Sequence, residues 1–218
     1  MNGPMSGILP PHVSCREQLG PPSGSLVPEE ERLLGEKTVH KRREEFAAGR
    51  TCARSALAAL GVQPGPILPG QEREPLWPAG IVGSITHCAG YSAAAVALRT
   101  DYASIGIDAE PNEPLPAETL NMIASAVERI WIRNAPDVQL CRDRLVFSAK
   151  ESVYKVWYPI TRCWLDFSEA EIEFDVAGGS FQAQLSPRNR LLKDVPRSMS
   201  GRFAVTETLL VSCAWLTA

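Results

Sequence analysis

The order in which periodicities follow one another constrains this chain most. Helical spacing comes first. From Pro28 the run Pro-Glu-Glu-Glu makes a first turn, with acids at the positive helix end. A second helix is predicted over residues 39–60, where Phe46, Ala53, Leu57 and Leu60 recur on one face until Gly61 ends it. A Pro-rich loop over 63–78 leads to two strands, Ile81–Cys88 and Tyr91–Leu98, joined by Ala89-Gly90, and a third follows over Ser104–Glu110. The order then repeats in kind. Helices are predicted near 117–133 and 143–158, and strands near 170–176, 181–185, 201–206 and 208–216. Helices then strands, twice, in halves of about 105 residues, predict an α+β protein built as two similar halves with the site in the cleft between them. The divisions expected are a flexible Pro/Gly-rich lead-in over 1–27, with room for one short strand, then halves over 28–105 and 106–218.

Composition narrows the function classes. The chain has 218 residues, 44% hydrophobic and 22% charged, which is globular and neither disordered, collagenous nor coiled-coil. The net charge of −3 argues against a general nucleic-acid partner while leaving room for a local basic pocket. None of the six cysteines forms a C-x-x-C pair, so neither a zinc nor a thioredoxin-like spacing is present. Met1–Pro11 lacks the pattern of a secretory signal, and the apolar run Tyr91–Leu98 is too short to span a bilayer. A cytoplasmic protein without a membrane partner is expected.

Four segments carry groups capable of chemistry. In Ile105-Gly106-Ile107-Asp108-Ala109-Glu110 the strand alternation puts Asp108 and Glu110 on one face, roughly 6–7 Å apart. Two such carboxylates suit a hard divalent ion bridging to phosphate, or equally a solvated strand end before Pro111. In the helix over Arg144–Pro159, Leu145, Ala149, Val153 and Val156 form the core stripe. Arg144, Ser148, Glu151 and Lys155 lie opposite, and Lys150 is on a flank. Glu151 and Lys155 are either an ordinary i,i+4 pair or a carboxylate and cation aimed at a metal and phosphate. The basic run Lys41-Arg42-Arg43 with Arg50 and Arg54 suits phosphate, or a solvated helix balanced by Glu44 and Glu45. His87 ends a strand in Ser84-Ile85-Thr86-His87, yet there is no G-x-S-x-G elbow, P-loop or dinucleotide glycine fingerprint.

In this order the segments resemble one family. G-S-I-T-H-C, G-I-D-A-E-P and F-S-A-K-E-S-V-Y-K-x-W-Y-P resemble the single-chain 4′-phosphopantetheinyl transferases related to the surfactin and enterobactin synthetase activators. K-R-R-x-E-F, G-R-x-C-A-R and W-P-x-G-x-V-G-S are similar to the actinobacterial branch. The resemblance implies a Mg²⁺ (or Mn²⁺) enzyme that moves the 4′-phosphopantetheine of coenzyme A onto a serine of apo acyl, peptidyl or aryl carrier proteins. Fatty acid, polyketide and nonribosomal peptide synthesis all use such carriers, and a monomer is expected. It implies that Asp108, Glu110 and Glu151 hold the metal, with Glu151, Lys155 and Lys150 as the catalytic set. Arg42, Arg50, Thr86, His87, Asp108 and Lys155 would contact coenzyme A, and Pro69, Gly70, Gln71 and Glu72 would line its adenine side. Relatives carry Lys or Arg at the position of Pro69, so that contact is lost or falls to Arg73. Ser125–Arg133 keeps only the Glu-Arg of a longer family pattern, near the surface expected to meet the carrier. A non-catalytic module binding coenzyme A or a carrier, and a metal-dependent phosphohydrolase, are the competing readings.

Overall fold

The computed structural model describes residues 3–35, 38–134, 139–189 and 195–218. Its first part holds β1 (Ser14–Leu19), α1 (Pro28–Glu31), α2 (His40–Ala59), β2 (Ile81–Cys88) and β3 (Tyr91–Leu98). These strands form an antiparallel sheet in the order β1-β3-β2. The hairpin closes at Cys88 opposite Tyr91, and Gly90, at φ 73°, supplies the left-handed residue that so short a turn demands. β3 is buried on both faces, which its small side chains permit. Ala94 and Val96 pack under Ala53, Ala56 and Leu57 of α2. Ala93, Ala95 and Ala97 face a second core.

That second core joins the two sheets. It takes Ile105, Ile107 and Ala109 from β4 (Tyr102–Pro111) and Leu209, Val211 and Cys213 from β8 (Leu209–Thr217). The chain between these strands holds α3 (Ala117–Ile123), α4 (Ala126–Arg133), α5 (Arg142–Thr161), β5 (Ala170–Asp175), β6 (Ser180–Leu185) and β7 (Ser198–Val205). The second sheet is antiparallel throughout, in the order β4-β8-β7-β6-β5. α5 covers it with Leu145, Ala149, Val153, Val156 and Trp157. Among the described residues no helix is long and apolar enough to cross a membrane.

Three expectations change. The stretch before Pro28 holds the one short strand allowed for, β1 beside β3, but it is not loose: Met5, 0% exposed, sits with Ile8 between the sheets. Isolated apolar residues amid Pro and Gly carried no periodicity, so their burial could not be read locally. The helix over 117–133 is two helices, because Ser125 caps a new one by accepting from the Glu128 backbone N–H while Glu128 accepts from Ser125. The division at 105/106 falls inside β4; the chain leaves the first sheet at the turn before Tyr102.

Candidate functional site

The candidate site is set by how closely α5 lies on β4. Gly106 makes this possible: a Cβ there would stand 2.0 Å from the Ser152 carbonyl oxygen and 2.9 Å from the Val156 nitrogen. One turn before Ser152, on the same side of α5, Ser148 and Ser212 hydrogen-bond at 2.8 Å and fix the helix to β8. With Ile105, Ile107 and Ala109 in the shared core, Gly106, Asp108 and Glu110 face α5.

Asp108 is the centre of the group. Its Oδ1 accepts from Lys155 Nζ at 2.8 Å, and Lys155 also donates to the Ile107 carbonyl at 3.0 Å. The Thr86 hydroxyl donates to the same Oδ1 at 3.4 Å and accepts from the Ala109 backbone N–H at 3.0 Å, so it ties β2 to β4. Asp108 Oδ2 is buried and has no hydrogen-bond partner. An unpaired buried carboxylate oxygen is costly unless a ligand completes it.

Two further carboxylates adjoin it. Burial, and then the charge of Asp108, push Glu110 up to about 7, although Arg144 Nη1 donates to its Oε2 at 2.9 Å. Burial also raises Glu151 above the usual carboxylate range, with Lys155 opposing the shift and Asp108 adding to it. Among the described residues no three carboxylate, imidazole or thiol groups already gather as a metal cage. The donor set is nevertheless all hard oxygen, with one orphaned atom and two carboxylates kept from ionising freely. It fits a hard divalent cation of the kind that takes a few carboxylates and completes its shell with phosphate and water.

The phosphate-binding candidates divide. His87 is next to last in β2 with its ring about half exposed, and partial burial lowers it below the usual imidazole range, with Lys155 and Arg42 adding to the fall and Glu45 opposing it. Arg42 stands exposed on the first turn of α2. Arg50, two turns on, is buried. Its Nε donates to the Ile67 carbonyl at 2.8 Å, its guanidinium covers the Phe46 ring, and burial lowers it to about 10. Pro69 and Pro75 bridge at the base of a loop in which Gly70 N–H donates to the Glu74 carbonyl at 2.7 Å. Glu72 and Arg73 from that loop line a cavity of about 670 Å³ whose other wall is Glu151, Tyr154, Lys155 and Tyr158 of α5. Pro69, Gly70 and Gln71 are not in its lining.

Lys150, expected with the catalytic set, is turned the other way. Its ammonium is buried against Glu128 and two backbone carbonyls, on the side of α5 away from Asp108. A helical wheel placed it on a flank without telling which flank is buried. Arg144 was missed in the opposite sense: its side chain reaches Glu110 and the carbonyls of Glu113 and Pro114. Gly106 had its own signal, since glycine inside a strand marks a close backbone approach.

Known proteins match both parts of the chain. The model of the 4′-phosphopantetheinyl transferase N-terminal domain matches residues 29–97, and that of the 4′-phosphopantetheinyl transferase superfamily matches 104–199. The chain is 52% identical over 168 residues to 4′-phosphopantetheinyl transferase Svp of Streptomyces mobaraensis, covering 75% of this chain and 67% of that protein. It is 48% identical over 174 residues to Npt of Nocardia iowensis, covering 79% and 78%. Against PptT of Mycobacterium tuberculosis it is 42% identical over 197 residues, covering 88% and 86%.

Proposed function

Because the chain belongs to the 4′-phosphopantetheinyl transferase superfamily, we propose that it moves the 4′-phosphopantetheine of coenzyme A onto a carrier-protein serine with the groups around Asp108. The serine oxygen bonds to the β-phosphorus, the bond from that phosphorus to the bridging oxygen breaks, and adenosine 3′,5′-bisphosphate leaves. Phosphoryl transfer of this kind needs positioning and charge neutralisation more than covalent help from the protein.

Glu151 accepts the serine proton. Its carboxylate lines the cavity, and burial makes it a stronger base than an exposed glutamate. Lys155, 2.8 Å from Asp108, turns its charge to the pyrophosphate, joined by Arg42 and His87, with Arg73, which lines the cavity, in place of the cation missing at Pro69. Thr86 holds Asp108 in place. A divalent ion, Mg²⁺ or Mn²⁺, would be held by Asp108, Glu110 and Glu151 and would neutralise pyrophosphate charge. The observation that carries this reading is the unpartnered Asp108 Oδ2 beside Glu110, which is pushed up to about 7.

We read the parts as similar halves, each an antiparallel sheet under one long helix, with the first contributing coenzyme A contacts and the second the acidic groups. Six free thiols fit the cytoplasm. The test incubates the protein with coenzyme A, Mg²⁺ and an apo carrier protein and weighs the carrier by mass spectrometry. A gain of one phosphopantetheine, absent without the metal, is expected. An unchanged carrier with coenzyme A bound would favour a binding module, and coenzyme A cleaved without an acceptor would favour a phosphohydrolase.

A further inference from the structure

We infer that Lys150 is a positioning residue, whose ion pair with Glu128 sets the rotation of α5 and so the direction in which Glu151 projects. Lys150 Nζ donates to Glu128 Oε2 at 2.7 Å, the Ile123 carbonyl at 2.8 Å and the Phe167 carbonyl at 2.9 Å. An ammonium has three protons, and here each is used. Both side chains of the pair are 1% exposed. Glu128 is as fully engaged: Oε1 accepts from the Ile172 N–H at 2.8 Å and Oε2 from the Ser125 N–H at 2.6 Å.

The pair therefore joins α5 to the end of α3, the start of α4, the turn at Phe167 and β5. Successive helix residues point about 100° apart, so a fixed Lys150 fixes where Glu151 aims. With Ser148 bound to Ser212, the helix is held on two sides. Lys150 has no proton left for a ligand phosphate, and Glu151 is the neighbour that faces the cavity. The assay rests on the transferase reading given above.

Four proteins decide the matter: wild type, Lys150→Gln, Lys150→Gln with Glu128→Gln, and Lys150→Arg. Each is measured for coenzyme A affinity by calorimetry and for single-turnover transfer to an apo carrier. Lys150→Gln leaves a buried, unpaired Glu128, so the rate should fall by about tenfold or more while the Kd for coenzyme A stays within about twofold. Adding Glu128→Gln removes that stranded charge and should restore the rate to within about threefold of wild type. A double variant as slow as the single one, or a Kd weakened in both, would overturn the inference. Lys150→Arg gives the opposite contrast and serves where the glutamine variants do not fold. A phosphate contact would tolerate arginine, whereas a closed pocket would not, so a wild-type rate there also refutes it. If wild type itself transfers nothing, the transferase reading has failed, and melting temperatures of the four proteins still test the pair through their coupling.

Discussion

Gly106→Ala puts one methyl group where the backbone of α5 already lies. The new Cβ would be 2.0 Å from the Ser152 carbonyl oxygen, 2.9 Å from the Val156 nitrogen and 3.0 Å from Lys155 Cβ. Ordinary carbon–oxygen contact needs over 3 Å, so helix and strand must separate by about 1 Å. None of the three is a flexible side-chain tip that could rotate aside. Overpacking of this kind typically costs about 1–3 kcal/mol, which at about 2–4 °C per kcal/mol for a chain of this size lowers Tm by about 2–12 °C. The same shift carries Lys155 and Glu151 away from Asp108, and about 1 Å of misplacement can lower turnover by about a hundredfold. Thermal melting and single-turnover transfer on one preparation measure both effects. A variant that melts within about 1 °C of wild type and turns over within about twofold would refute the claim that this contact sets the site.

Glu151→Gln should lower turnover by about 10²–10⁴-fold while coenzyme A affinity falls far less, as equilibrium binding beside single-turnover rates will show. Pro69→Lys should tighten coenzyme A by about 1 kcal/mol at low salt; calorimetry that finds no change assigns the contact to Arg73. Glu110 stands at about 7 in the fold against an ordinary glutamate value of 4.5, so the folded chain holds a proton that the unfolded chain releases. Stability in metal-free buffer should therefore fall as pH rises from about 4.5 to 7, and Glu110→Gln should flatten that slope in thermal melts.

Much of this was legible in the residues. The hairpin over 81–98, the long helices α2 and α5 and the carboxylates at 108 and 110 followed from periods of 3.6 and 2, which report local faces directly. What stayed hidden depends on partners distant in sequence. Lys150 and Arg144 have long stems, and a wheel cannot say which partner each head group will find. Arg50 read as a phosphate contact or as part of a solvated helix, yet the Ile67 carbonyl and the Phe46 ring take it inside. Ser125 and Glu128 did spell a capping box within Ser-Ala-Val-Glu, a signal that the surrounding helical run masked.

The position of β8 bears on how the protein is made. That strand lies between β4 and β7, pairing with both, and the Cys213 thiol reaches the Ile8 carbonyl at 3.3 Å, 205 residues away in sequence. While residues 209–217 are still inside the ribosome, β4 and β7 have no common neighbour, and two ladder edges stand open. The apolar face that Ile107 and Ala109 share with Cys213 and Val211 of β8 is also only part built. Such long-range closure is slow and leaves nascent chains prone to aggregate. Asp108 pairs with Ser212 across that ladder, so the acidic centre gains this neighbour only once β8 has emerged.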